Sequence, residues 1–471
     1  MSSTSSVAVK VPPASQGGQA TPVTRRILNL LAMPILAVFT AFVIGGVLIW
    51  ITSGDFNTVI QAYSGLLRGA LFKERGLTET LVATTPYILL SLGMAVGFKS
   101  GLFNIGVEGQ FYVGAIGAAW MGQAIHGLPA IVHLPLTLLI GALGGAVWAA
   151  IPGYLKARTG AHEVITTIMM NYIAFRLTEF VVAGPLRDRA SSAPQTPRVD
   201  AGAALWPFYA IPQRLADPLN ALGVALIIGF VAWFIARAAL KRNHAQSSPT
   251  GEIPAAGPRS FIARHMPLLI ALATGIVCFF ALPVLTRVWW PFNDQYDRLH
   301  VGFLVALGAA VFVWWLMWKT TLGFELRMVG ANPNAARYAG INITRNIVVA
   351  MAISGALAGL AGAGEVLGVS ICGCLPQIFS SGYGFDAIAI ALLGKNNPFG
   401  IVLSSLLFGA MRNGADLMEL NSGVGKNMIS VIQALVLLFV AAPPIVRWIY
   451  RIKAPARTEE EAPLTRGWGG G

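Results

Sequence analysis

Residues 101–110 read Gly-Leu-Phe-Asn-Ile-Gly-Val-Glu-Gly-Gln; they follow the apolar run 80–98 and open the mixed stretch 102–124. A carboxylate at membrane depth costs about 2.5–3.5 kcal/mol on insertion scales, which makes Glu108 a candidate functional group. The surrounding glycines allow the backbone to approach neighbouring helices or a bound solute closely. The alternative is that Glu108 lies at a helix end near the lipid headgroups and serves packing alone.

Apolar runs of membrane-spanning length recur along the rest of the chain. Of its 471 residues, 55% are hydrophobic and 11% are charged, whereas average domains are about 25% charged. A helix needs roughly 20 apolar residues to cross a bilayer. The runs that approach or exceed this length are 27–51, 80–98, 131–155, 219–240, 266–285, 301–318, 347–368 and 428–446. With the mixed stretches 102–124, 164–183 and 385–411, we expect an all-α polytopic membrane protein of about ten or eleven transmembrane helices, some of them broken.

The net charge of +13 follows from basic residues at the ends of these apolar runs. This is the distribution that the positive-inside rule produces, and no basic and aromatic patch indicates a nucleic-acid surface. The basic residues concerned are Arg25, Arg26, Lys156, Arg158, Lys241, Arg242, Arg447, Arg451 and Lys453. Placing Arg25 and Arg26 in the cytoplasm predicts that both termini and the loop 319–346 are cytoplasmic.

The composition of the two ends differs from that of the middle. Residues 1–24 and 454–471 are rich in small, polar and charged residues, and we expect both to be disordered and cytoplasmic. The transmembrane domain is then 25–453, within which 219–320 is predicted to hold three helices. The three cysteines, Cys278, Cys372 and Cys374, predict neither a disulfide framework nor a metal site.

A short helix is predicted inside the loop 319–346. Asn332 and Pro333 are typical of a helix start, and Gly340 is typical of a helix end. A helix of this length is unstable alone, so we interpret its small residues as a surface that docks into a partner. The alternative is an ordinary connection between two membrane helices.

The segment 382–414 predicts a broken helix, since an apolar piece is interrupted by Gly-Lys-Asn-Asn-Pro-Phe-Gly at 394–400. In transporters such breaks line the solute path, because irregular backbone at membrane depth needs protein or water partners. Asp386 and Asn413 lie in this segment. Glu365 is a further buried acid, for which pairing with a neighbouring helix is as good an interpretation as solute contact.

Several enzyme motifs are absent. The sequence Gly-Val-Gly-Lys-Asn at 423–427 lacks the upstream glycine and the Ser/Thr of a phosphate-binding loop, and neither a zinc-protease motif nor a nucleophile elbow occurs. The chain is therefore predicted not to be an enzyme and to use no cofactor. Intramembrane Lys and Arg are scarce away from helix ends, which argues against an anionic solute.

Four segments together resemble the permeases of ATP-binding-cassette importers, in the nucleoside-type branch of the superfamily that includes ribose and branched-chain amino acid permeases. They are 101–110, 163–172, 330–342 and 385–399 continuing to Phe408-Gly409. The motif Phe-Asn-Ile-Gly-Val-Glu-Gly-Gln at 103–110 is typical of this branch. The family typically has a single helix where 219–320 is predicted to hold three.

The resemblance implies a permease that forms the translocation path for nucleosides in the bacterial inner membrane. Its implied partners are a second permease subunit, identical or different, two cytoplasmic ATP-binding subunits, an extracytoplasmic solute-binding protein and membrane lipid. The predicted path residues are Asn104, Glu108, Gln110, Asn171, Asp386 and Asn413. The residues predicted to couple to the ATPase are Asn332, Pro333, Ala335, Ala336, Arg337 and Gly340.

Two other functions stay open at this point. One is a simple-sugar permease of the ribose type within the same class of importer. The other is a stand-alone secondary transporter, for which a proton relay through Glu108, Glu179, Glu365 and Asp386 is conceivable.

Overall fold

The computed structural model describes residues 23–246, 261–380 and 382–451, and within these ranges it contains helices and no strand. The first six helices are α1 (Val23–Ser53), α2 (Phe56–Leu67), α3 (Gly76–Lys99), α4 (Val107–Ala124), α5 (Ala130–Thr159) and α6 (Glu163–Ala183). The next six are α7 (Ile211–Arg214), α8 (Pro218–Gln246), α9 (Phe261–Val288), α10 (Gly302–Lys319), α11 (Thr321–Ala331) and α12 (Pro333–Tyr338). The last five are α13 (Ile343–Gly364), α14 (Tyr383–Leu393), α15 (Pro398–Ser422), α16 (Asn427–Ala441) and α17 (Pro443–Ile449).

The predicted all-α membrane architecture is confirmed, with fewer spans than expected. In the described part of the chain, 8 helices are long and apolar enough to cross a membrane, or up to 9 if α16 and α17, bent by 92°, count as one span. The expected ten or eleven included the stretches of α4, α14 and α15. α4 is rich in glycine and polar residues, α14 has only 11 residues, and α15 carries Arg412, Asp416 and Glu419 in its second half. Disorder was expected at 1–24 and 454–471; residues 1–22 and 454–471 lie outside the described residues, while 23 and 24 belong to α1.

The broken helix predicted from the sequence is present. α14 ends at Leu393, four residues turn the chain, and α15 begins at Pro398. Lys395 and Asn396 both adopt positive φ in this turn, of 53° and 52°. Asn397 caps α15 by accepting a hydrogen bond from the backbone N–H of Phe399.

Helix α3 is the centre of the bundle, since 83% of its apolar window is buried inside the protein. It packs against α10, α13, α14 and α15, while α13 also packs along α4 and α5. The closest approach is between α5 and α13. A Cβ on Gly355 would overlap the backbone of Gly145, and one on Gly359 would overlap that of Gly141. These glycine pairs let the two backbones touch.

Helices α8 and α9 form a peripheral hairpin. They pack mainly on each other and make smaller contacts with α5 and α7, and Phe234 of α8 meets Trp315 of α10 with ring centroids 6.2 Å apart. No residue in the apolar window of α9 is buried. With α10 they are the three helices of region 219–320.

Three loops meet at one end of the bundle, and we call them the cap: residues 184–217, 289–300 and 370–376. Backbone hydrogen bonds join them, for example from Thr196 N–H to Leu375 C=O and from Phe208 N–H to Leu299 C=O. Cys372 and Cys374 form a disulfide in the third loop, which the sequence analysis did not predict. The loop 319–346 lies at the opposite end of α10 and begins α13, so the bundle connects these two ends.

Candidate functional site

Two half-helices meet inside the bundle with their N-termini facing each other. α4 begins at Val107 and α14 begins at Tyr383, and each carries an acid in its first turn, Glu108 and Asp386. The contact is close because Gly384 lacks a side chain; a Cβ there would lie 2.6 Å from the backbone nitrogen of Glu108. Helix N-termini present free N–H groups and a positive dipole end, which favour carboxylates.

Glu108 ties the two half-helices together. It is only 2% exposed, and its carboxylate accepts hydrogen bonds from the backbone N–H of Gly384 and the hydroxyl of Ser380. The two segments that the sequence analysis singled out, 101–110 and 382–414, therefore form one site.

Asp386 belongs to a chain of polar groups that crosses to α15. The hydroxyl of Tyr87 donates to Asp386 Oδ2 at 2.9 Å, and Arg412 Nη1 donates to the Tyr87 oxygen at 3.2 Å. The guanidinium of Arg412 also lies 4.0 Å from the ring centroid of Tyr383, which is within cation–π distance. A buried charge needs such partners.

Arg412 corrects one argument made from the sequence. Cationic side chains were expected to be scarce away from helix ends, yet Arg412 lies in the interior of α15 beside the buried rings of Tyr87 and Tyr383. Arg412 was not among the predicted path residues, although it lies in the segment 382–414. Tyr87 and Tyr383 were missed as well, since single tyrosines in apolar runs carry no distinctive signal.

Glu365 starts a π-helical turn, Glu365–Val369, at the end of α13. It is 8% exposed, and its Oε2 atom is buried without a hydrogen-bond partner. Arg412 and Arg298 are the cations that act on it electrostatically. We refer to Glu108, Tyr87, Asp386, Arg412 and Glu365 as the charged cluster.

A second polar group lies next to the first, and we call it the amide cluster: Asn104, Gln110, Asn171 and Ser354. Asn104 Nδ2 donates to Gln110 Oε1 at 3.0 Å and to Ser354 Oγ at 2.9 Å, and Gln110 Nε2 donates back to Asn104 Oδ1 at 3.0 Å. Asn171 accepts from the Gly109 N–H at 2.8 Å and donates to the Ile105 carbonyl at 2.9 Å. These bonds hold the loop before α4 in place.

Asn413, the sixth predicted path residue, lies apart from both clusters. Its Nδ2 donates to the Gly76 carbonyl at 2.8 Å and to Thr80 Oγ1 at 3.0 Å, which ties α15 to the start of α3. The contact of any of the six predicted residues with a solute stays a prediction.

Aromatic rings form a wall beside Glu108. Phe111 and Phe379 stack with ring centroids 4.9 Å apart, and Tyr112 meets Phe379 edge-on at 4.6 Å. Phe379 is next to Ser380, so the segment that binds Glu108 also carries this wall.

The short helix predicted in the loop 319–346 is present as α12. Asn332 caps it by accepting from the N–H groups of Asn334 and Ala335, and Gly340 follows it with φ of 77°. Tyr338 is 95% exposed, whereas Ala336 is fully buried. Of the residues predicted to couple to the ATPase, Ala336 is therefore not available to a partner, because it faces the protein.

A glycine contact connects this loop to the amide cluster. A Cβ on Gly330, at the end of α11, would lie 2.6 Å from the carbonyl carbon of Ser100 and 2.7 Å from the nitrogen of Gly101. Gly101 opens the segment that leads to Asn104, so α11 touches the loop that the amide cluster holds.

The cap closes over the π-helical turn at the other end of the bundle. Arg298 donates to the Val369 carbonyl and pairs with Glu79 at 3.2 Å. His300 is buried beside Gly368, and its burial, helped by the charge of Arg298, lowers its pKa to about 4. His300 is therefore neutral at neutral pH.

Comparisons with known proteins agree with this architecture. The family model described as the permease component of a branched-chain amino acid transport system matches residues 76–441. That range contains both clusters, the loop 319–346 and the cap. No solved structure gives a significant match to the chain.

Three curated relatives cover most of the chain. The guanosine ABC transporter permease NupP of Bacillus subtilis is 36% identical over 90% of this chain and 96% of its own length. The glucose ABC transporter permease TsgB13 of Haloferax volcanii is 31% identical, over 86% of each chain. The nucleoside ABC transporter permease NupB of Lactococcus lactis is 29% identical, over 94% of this chain and 98% of its own.

Proposed function

The chain belongs to the family of permease components of branched-chain amino acid transport systems, and on that premise we propose that it is the membrane-spanning permease of an ATP-driven nucleoside importer. The observation that carries the proposal is the 36% identity to a guanosine permease along nearly the full length of both chains. As a permease component it is a multi-pass membrane protein and not itself the enzyme of the system.

The meeting point of α4 and α14 supports a solute path through the charged cluster. Discontinuous helices whose N-termini point into the membrane interior are a recurrent way to build a transport site. The charged cluster provides donors and acceptors there, and Phe379 and its neighbours provide rings against which a nucleobase can lie.

The balance of charge in the cluster favours an uncharged solute. Within the charged cluster, Glu108, Asp386 and Glu365 are three carboxyl groups beside one guanidinium, that of Arg412. Arg298 of the cap also acts on Glu365 but is paired with Glu79. The Arg412 guanidinium is already engaged by Tyr87 and Tyr383. An anionic nucleotide would meet repulsion, so the correction at Arg412 leaves the argument for an intact, uncharged nucleoside in place.

Uptake of radiolabelled guanosine by cells that express the complete transporter tests the proposal. We expect uptake that unlabelled adenosine, guanosine or uridine reduces and that ribose does not. Competition by ribose or glucose alone, without competition by nucleosides, would overturn the nucleoside assignment. Cells that express the transporter without this chain are the matched control.

A simple-sugar permease is the second candidate, and the 31% identity to a glucose permease favours it. The same uptake assay decides between them, because a sugar importer takes up labelled glucose or ribose in the presence of excess guanosine.

We also propose that α12 couples the permease to ATP hydrolysis by cytoplasmic ATP-binding subunits. Its capped, exposed end offers Ala335, Arg337 and Tyr338 to a partner, and the contact between Gly330 and Gly101 gives its motion a route to the α4 loop. Two ATP-binding subunits, a second permease and a solute-binding protein at the cap complete the proposed assembly in the bacterial inner membrane. Basic residues at the α12 end, such as Lys156 and Lys319, support a cytoplasmic placement of that end and of both termini.

Replacing Ala335 by Glu tests the coupling proposal, since a bulky charge on the exposed face prevents seating in a groove. We expect insertion and folding to persist while uptake falls, with ATP hydrolysis no longer stimulated by the loaded binding protein. Unchanged uptake would overturn the assignment. Asn334→Asp, a nearly isosteric change on the same exposed helix, is the control for added negative charge.

A further inference from the structure

The π-helical turn at the end of α13 contains a buried carboxylate, and one of its oxygens receives no hydrogen bond from the protein. Glu365 Oε2 is buried without a partner, although native proteins pair nearly all such groups. The neighbouring acids of the charged cluster differ in this respect. Glu108 accepts two hydrogen bonds and Asp386 accepts one from Tyr87.

Open space lies at the residue that precedes Glu365. Gly364 is buried in the bundle, yet a Cβ placed on it would meet no heavy atom within 4 Å. The wide turn that follows is a π-helix, a form that occurs frequently at functional sites. A buried acceptor without a partner, one residue from open space in the bundle, is the arrangement expected where a ligand supplies the missing donor.

The position of Glu365 is suited to a solute that passes from the cap into the bundle. Above it, Leu205 N–H bonds to the Leu367 carbonyl and Arg298 bonds to Val369, so the cap covers the turn. Below it, the positive charge of Arg412 acts on Glu365. Arg412 also donates a hydrogen bond to Tyr87, which in turn donates to Asp386.

We propose that the Glu365 carboxylate accepts hydrogen bonds from neighbouring hydroxyl groups on the sugar ring of the solute. A carboxylate is purely an acceptor with two oxygens, and a vicinal diol offers two donors side by side. The inference rests on the proposed function as a nucleoside importer. Guanosine and glucose, after which two relatives are named, both carry such hydroxyl pairs.

An experiment that varies both residue 365 and the hydroxyl groups of the solute tests this role. Uptake of guanosine and of 2′,3′-dideoxyguanosine is measured in proteoliposomes that hold the complete transporter, with the native chain and with Glu365→Ala. We expect Glu365→Ala to lower guanosine uptake about tenfold or more, as for a lost hydrogen bond to a charged group, and to change dideoxyguanosine uptake less than about twofold. The same binding protein delivers each solute to the native and the variant permease. Its own preference therefore cancels when the uptake by the variant is divided by the uptake by the native chain for each solute.

An equal reduction for both solutes would assign Glu365 a structural role, and no reduction for either would remove it from the path; both results overturn the proposal. Asp416→Asn is the matched control, since this α15 carboxylate has a side chain that is 74% exposed and its loss should change neither rate.

A second measurement decides the case in which the native complex takes up no dideoxyguanosine. Glu365→Cys, in a background with Cys278, Cys372 and Cys374 replaced by Ser, is treated with a thiol reagent with and without guanosine. Protection by guanosine supports the site, and equal labelling overturns it. If the native complex takes up glucose and no nucleoside, the proposed function fails while the same cycle with glucose and 2-deoxyglucose still tests Glu365.

Discussion

The amide cluster and the charged cluster lie side by side in the bundle and treat their polar groups in opposite ways. In the amide cluster, Asn104 and Gln110 bond to each other in both directions. The charged cluster contains three acids and one arginine, and Glu365 keeps an oxygen without a partner. Complete pairing of neutral groups makes a rigid support, while incomplete pairing of charged groups leaves room for a solute. We infer that the first cluster positions the second.

The largest expected effect is at Glu108, which joins the two half-helices. Glu108→Ala removes two charge-assisted hydrogen bonds, together worth about 3–6 kcal/mol, so we expect uptake to fall at least about 100-fold. Gln110→Ala, two residues on in the amide cluster, is the matched control and should lower uptake per folded complex less than about fivefold. Radiolabelled uptake normalised to folded transporter measures both. Similar losses in the two variants would erase the distinction between the clusters.

A smaller effect is expected where the amide cluster meets the loop 319–346. In Gly330→Ala the new methyl group would overlap the backbone at Ser100 and Gly101, so α11 must move away from the α4 loop. Coupling changes of this kind amount to about 0.5–2 kcal/mol, so we expect uptake to fall roughly 3- to 30-fold at a similar rate of ATP hydrolysis. Gly308→Ala is the control, because a Cβ there meets no atom within 4 Å. Equal uptake by both variants would show that this contact does not couple the loop 319–346 to the α4 loop.

For a substitution within the amide cluster, we expect a clear loss of folding stability and only a small loss of uptake per folded complex. Asn104→Ala leaves Gln110 and Ser354 without their partner, which costs about 1–3 kcal/mol of unfolding free energy. Uptake per folded complex should stay within about threefold. Thermal melting in detergent and uptake in proteoliposomes separate the two quantities. A variant of native stability that does not transport would make Asn104 a path residue instead.

The cap extends the comparison, because its buried histidine, His300, is neutral at neutral pH. The pKa of His300 is lowered to about 4 in the folded protein, whereas an unfolded His titrates near 6.5. Below pH 6.5 the unfolded state therefore binds the proton first, and stability falls until the folded His300 is protonated near pH 4. We expect about 1–2 kcal/mol less stability at pH 5 than at pH 7.

Melting temperatures measured across this pH range test the expectation for His300. In His300→Asn the side-chain oxygen can still accept the Gly302 N–H that His300 Nδ1 accepts at 3.1 Å, while the titration is gone. The variant should lose this pH dependence. An unchanged slope would assign the effect to other groups.

Local rules predicted much of the fold. The Asn332-Pro333 start and the Gly340 end of α12 follow from capping chemistry, and the break after Leu393 follows from the glycines and proline around it. Fewer helices in the described part of the chain have the length and composition of a span than the sequence predicted, since the α4 and α15 stretches have helix length without the apolar character of a lipid-facing span.

The site was only partly predictable, for a physical reason. Glu108 and Asp386 were found because an acid at membrane depth is costly wherever it lies. Their meeting was not predictable, since it depends on α4 and α14 being brought together by residues 276 positions apart, such as Glu108 and Gly384. Tyr87 and Arg412 acquire their significance only from that long-range contact. Likewise, the missing partner of Glu365 is visible only in three dimensions.

A structure of the complete transporter, held by an ATP analogue with labelled guanosine bound, tests the central claim most directly. The account predicts solute density beside the contact between the N-termini of α4 and α14, within hydrogen-bonding distance of the charged cluster, with the amide cluster unchanged behind it. Density in contact with Asn104 and Gln110 instead, or in the peripheral hairpin of α8 and α9, would contradict it.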